Sequence, residues 1–130
     1  MTTAQSFDWV TARFDCSLTK MWIRLKVGVT TDVNIRNGLR KEGAGYKFEI
    51  EENGQSFLIY REAGDFQSPP SVEFKLTAKG IEISSESSQF NILATVTLDR
   101  EGQCKFSVSG QEWEEWHLRK FALEKLFFEP

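Results

Sequence analysis

The side chains able to do chemistry are few, and their spacing suits none of the common reactions. His117 is the single histidine, and Cys16 and Cys104 are the two cysteines. A zinc site would need carboxylates to complete it, without the Cys-x-x-Cys or His-Glu-x-x-His spacing that brings ligands to one ion. We therefore expect no metal and no cofactor. A nucleophilic pair would set Cys16 or Cys104 beside His117, yet Cys104 falls on the dry face of an expected strand next to Phe106, where a thiol is packing material. Gly43-Ala44-Gly45 lacks the further glycine and the preceding strand of a dinucleotide loop. Glu51-Glu52 and Glu114-Glu115 read as carboxylates on solvated faces. No catalytic residue is nominated, and the chain is expected to be a non-enzyme.

Charge is uneven. Residues 1–48 carry eight Lys or Arg against four Asp or Glu, and residues 49–130 carry eight against fifteen, so +4 and −7 give the net −3. Arg36, Arg40 and Lys41 form a basic group that could meet phosphates. Aromatic residues for base stacking do not interleave with it, so it reads as a helix end where cations suit the dipole, and nucleic acid is not an expected partner.

The elements that must position these residues follow from periodicity. From Tyr46 to Ser109 apolar and polar residues alternate, the pattern of an antiparallel sheet with one dry face. Asn53-Gly54 reads as a two-residue turn that sets Ile50 opposite Phe57 and Phe48 opposite Ile59. Lys79-Gly80 turns Val72, Phe74 and Leu76 back onto Ile81 and Ile83. Arg100-Glu101-Gly102 is a three-residue loop with glycine last, where a left-handed conformation is needed; Leu98 then faces Cys104, Val96 faces Phe106 and Ala94 faces Val108. About six strands in a curved meander are expected.

Helices at both ends can cover the dry face. Phe7, Val10, Phe14, Leu18, Met21 and Leu25 recur at helical spacing, and this stripe is preferred over the competing alternation from Met21 to Val29, which would make a strand. Thr31 or Asp32 could cap a second helical piece through Val33, Ile35 and Arg36. Ser109 and Glu112 form a capping box, with Val108 and Trp113 as its hydrophobic staple, predicting a helix from about Gly110 to Phe127. The reading is one α+β domain over residues 1–130. No apolar run spans a membrane and no secretory signal is visible, so a cytoplasmic protein with both cysteines reduced is expected.

Apolar surface exceeds what one sheet needs. The C-terminal helix has one arc through Trp113, Trp116, Leu123 and Phe127 and another through Leu118, Phe121, Ala122 and Phe128, whereas a covering helix needs one. Trp9, Cys16, Ile23 and Val27 lie opposite the main N-terminal stripe. The surplus is met if the helices pack on each other, or if it forms an interface. The leading expectation is a protein-binding module, a homodimer or the holder of another protein, working through Trp9, Trp113, Trp116, Phe121 and Phe128. By fold-level analogy such an acidic α+β protein resembles adaptor, secretion-chaperone and immunity proteins. The alternative is a carrier of a small apolar ligand lined by Phe48, Phe57, Phe74, Phe90 and Phe106.

Overall fold

The computed structural model describes residues 6–40, 46–62 and 68–129. A short helix α1 (Trp9–Asp15) and a long helix α2 (Leu18–Gly38) precede seven strands, β1 (Lys47–Asn53), β2 (Ser56–Glu62), β3 (Ser71–Thr77), β4 (Gly80–Ser85), β5 (Phe90–Leu98), β6 (Cys104–Val108) and β7 (Gln111–Trp113), and helix α3 (Glu115–Phe128) closes the chain. The strands form one antiparallel sheet in chain order. This is the expected curved α+β meander, extended by the short strand β7.

Residues 20–30 are helical, and the apolar stripe breaks where a cap intervenes. Ser17 is extended, and its hydroxyl accepts the Lys20 amide to start α2, while Asp8 does the same for α1 through Thr11. The break divides the stripe. Met21, Leu25, Val29 and Val33 are buried, whereas Phe7, Val10 and Phe14 are exposed, Phe14 by 79%. No second helix starts at Thr31 or Asp32: the Thr31 hydroxyl donates to the Val27 carbonyl, so α2 runs through to Gly38.

Of the expected registers the β5–β6 hairpin forms as read, with Leu98 opposite Cys104, Val96 opposite Phe106 and Ala94 opposite Val108. Gly102 adopts φ 82°, and the Asp99 carboxylate ties the loop by accepting the Glu101 and Gln103 amides at 2.9 and 2.8 Å. The β1–β2 pairing is corrected by two residues. Ile50 faces Ile59 and Phe48 faces Arg61, with Gly54-Gln55 at the turn. A two-residue slip leaves every side chain on its original face, so alternation alone does not distinguish the two registers. The next turn centres on Ala78-Lys79, and Leu76 and Phe74 face Ile81 and Ile83.

The capping box at Ser109 does not form. Ser109 and Gly110 have φ 52° and 79°, the two positive values of a type I′ hairpin turn, and they fold Gln111–Trp113 back onto β6 with Trp113 opposite Phe106. A capping residue needs an extended backbone. Helix α3 starts instead at Glu115, with Glu114 before it making no side-chain cap.

Both long helices cover the dry face. Trp22 of α2 meets Phe57 with ring centroids 5.0 Å apart, and Phe127 of α3 meets Phe48 at 4.9 Å. Their contacts run in step along the chain, Gly28 with Glu115 and Arg119, Asp32 with Arg119, and Arg36 with Phe127, so α2 and α3 lie parallel. Gly28 allows the approach: a Cβ there would stand 2.6 Å from the Glu115 Oε1.

The cysteines are not reduced. The turn at Cys16-Ser17 brings Cys16 to the start of β6, and Cys16 and Cys104 form a disulfide across a Cα separation of 5.2 Å, within the usual span of such bonds. It closes 88 residues of sequence separation and so restricts the unfolded chain strongly. We expect reduction, or the paired change Cys16→Ala with Cys104→Ala, to lower stability by about 2–4 kcal/mol, read from urea melts with and without reductant. Equal midpoints in the two melts would show that the bond contributes nothing.

Candidate functional site

Both thiols are joined to each other, so neither is available to His117. The His117 ring instead stacks on Trp113 at 4.9 Å and on Trp116 at 5.3 Å. Among the described residues no group of three or more His, Cys, Asp or Glu converges as metal ligands would. The basic group is also dispersed. Arg36 turns inward over the rings of Phe48 and Phe128, and its Nε donates to the Phe127 carbonyl at 3.1 Å; Arg40 is exposed, and Lys41 and Gly43-Ala44-Gly45 lie outside the described residues.

The nominated partner-binding residues separate into three places. Trp9 is exposed on α1. Trp113 and Phe121 meet edge to face at 5.3 Å, and Phe121 also rests on Phe90 at 5.2 Å, which gives these rings a packing role at the flank of α3. Trp116 and Phe128 are exposed by 57% and 67% at the two ends of α3. Between them on the same i, i+4 row lie Lys120 and Glu124, which pair at 3.2 Å.

Helix α2 supplies a second row that the sequence reading caught only in part. Ile23, Val27, Thr31, Ile35 and Leu39 are spaced by four and all exposed. Residues at this spacing form an oblique ridge on a helix surface. Thr31 sits exposed in this row with its hydroxyl bonded to the backbone of its own helix. Ile23 and Val27 were legible as surplus; Ile35 and Leu39 continue the same spacing and were the signal to follow. Where the two rows converge, Ile35, Leu39, Leu123, Phe127 and Phe128 line an open groove of about 290 Å³.

The groove rim is held by charge. Arg119 binds the Asp32 carboxylate at 2.7 Å and lies 3.3 Å from Glu115. Burial lifts the Glu115 carboxyl above the usual glutamate range, against the opposing pull of Arg119. Away from the groove, Lys26 pairs with Glu52 on β1 at 2.5 Å.

The residues of the alternative ligand site are placed differently. Phe48, Phe57, Phe74 and Phe106 are buried in the core, and Phe90 is half-buried beside it. Phe57 and Phe74 stack on each other at 4.8 Å, and Trp22 and Phe127 press on the same layer.

Comparison with known proteins finds no protein-family model, no curated protein and no solved structure that matches this chain. Among the described residues no helix is long and apolar enough to cross a membrane.

The raised Glu115 value makes a signed prediction. A carboxyl whose folded-state pKa is raised favours the fold most below its unfolded value of about 4.3, and that contribution is lost as pH rises through the folded-state value. Glu115→Gln is therefore expected to gain on the parent protein as pH rises from about 4 to 7. Urea melts across that range test it, and a stability difference independent of pH would refute the assignment.

Proposed function

We propose that the protein is a non-enzymatic binding module whose working surface is the outer face of α2 and α3, and that its partner is a second copy of the same chain. The observation that carries this reading is the pair of exposed rows, Ile23–Val27–Thr31–Ile35–Leu39 on one helix and Trp116 and Phe128 on its neighbour. Ridges at i, i+4 spacing interdigitate with ridges of the same kind at about −50°, the commonest helix crossing. One ridge can therefore pack on its own copy about a two-fold axis, as an isologous interface requires.

The groove at the C-terminal end adds a place for an anchor. Large apolar side chains set into such grooves carry most of the energy of an interface; of the charges lining this one, Arg119 pairs with Asp32 and Lys120 with Glu124, while Arg36 donates to the Phe127 carbonyl. The carrier alternative draws less support, because the phenylalanine-lined face is occupied by its own rings and by the helices.

The disulfide bears on the compartment. Such bonds persist in oxidising surroundings and are rare in the cytosol, so the cytoplasmic setting expected from the sequence is not kept in this proposal.

Ile35→Asp and Trp116→Asp each place a charge in the proposed interface at a position exposed in the monomer. Light scattering after size exclusion should report a dimer for the parent chain and a monomer for each variant. Unfolding of the monomeric forms should agree within about 0.5 kcal/mol, as for ordinary surface changes. A parent chain that stays monomeric at its highest soluble concentration would overturn the self-association.

A further inference from the structure

Among the described residues, Arg61 is the buried charge that no carboxylate balances. It stands opposite Phe48 on the dry face and is only 5% exposed. Its Nη2 donates to the carbonyls of Leu126 and Glu129 at 3.0 and 2.8 Å, and its guanidinium lies 4.4 Å from the centre of the Tyr46 ring. Its Nε has no hydrogen-bond partner among the described residues. Arginine is almost never so deeply buried unless paired, and the carbonyl end of a helix offers only about half an elementary charge. A demand for negative charge is left over.

The surroundings of Arg61 could meet it from outside. The side chain lines a pocket of about 220 Å³ at the end of the sheet, between the last turn of α3 and the β4–β5 turn. Lys125 brings a second cation to the same pocket, and Ser87, Ser88 and Gln89 bring two hydroxyls and an amide. Among the described residues Glu129 is the one acid on the wall, so those residues give the lining a net charge of about +1 by simple count of formal charges. The volume suits a single tetrahedral or planar anion with a few waters and falls below the roughly 300 Å³ of sites for larger ligands.

We propose that this pocket binds a small oxyanion, phosphate or a carboxylate, with Arg61 as the buried cation and Lys125 as the cation at the mouth. Charge-assisted donors of this kind are the usual means of holding such groups. The site is separate from the face of α2 and α3 assigned to self-association.

The test follows the Arg61 Nε–H and the Ser88 amide by NMR while inorganic phosphate, and separately acetate, is added at constant ionic strength. Saturable shifts at both positions are expected, and Lys125→Gln should weaken the binding about fivefold, the weight of one partly exposed ion pair. Tighter phosphate assigns the phosphate class and tighter acetate the carboxylate class, and either supports the site. Lys125 lies on the exposed side of α3, so this variant keeps the test available even where Arg61→Gln fails to fold. Shifts no larger than those given by chloride, or binding that Lys125→Gln leaves unchanged, would overturn the proposal.

Discussion

A helix that ends against a buried sheet must find donors for its last carbonyls, because the final turn has none of its own and water is excluded on that side. In this protein two arginines supply them. Arg61 reaches from β2 to Leu126 and Glu129, and Arg36 reaches from α2 to Phe127. Phe48 lies between them, opposite Arg61 across the strands and under Arg36. Its backbone is held in turn by the Asn37 side chain, which accepts from its N–H and donates to its carbonyl, both at 2.9 Å. One small region thus joins the ends of α2 and α3 to β1 and β2.

The arrangement of the helices follows from that junction. With their C-terminal ends held together and Gly28 permitting close approach, α2 and α3 lie parallel on one face of the sheet. Each then has a side for the core, a side for its neighbour and a side for solvent. The surplus apolar surface is divided accordingly. Trp113 and Phe121 pack on each other at the flank of α3, with Phe121 still 40% exposed, while Ile35, Leu39, Trp116 and Phe128 are left on the outer face. The helices do pack on each other, yet that packing accounts for only part of the excess.

At the opposite end of α2 the constraint is covalent. The bond from Cys16 to Cys104 fixes the start of α2 to the β5–β6 hairpin, and Phe7 packs close over Gly102 in the loop of that hairpin. Helix α1 has no buried residue, so its position depends on these two attachments. Phe14 entered the apolar stripe by spacing alone and, like Trp9 on the opposite side of the helix, does not join the core.

What the sequence by itself determined is local. Period-two alternation assigned the residues of β1 to β6 to their faces but not those of β7, which read as helix, and glycine at the third loop position made the β5–β6 register unique, because few loops of that length are sterically open. The surplus on the C-terminal helix was legible too, as an apolar arc too wide for one sheet. Contacts between residues distant in sequence decided the rest. A slip of two residues in β1–β2 preserves the alternation, so the opposition of Phe48 and Arg61 is invisible in it. Ser109-Gly110 suits both a cap and a hairpin turn, and the pairing of Trp113 with Phe106 selects the turn. The disulfide and the arginines at the end of α3 depend on groups brought together only by the folded chain, where a charge buried without water must take whatever partner the packing provides.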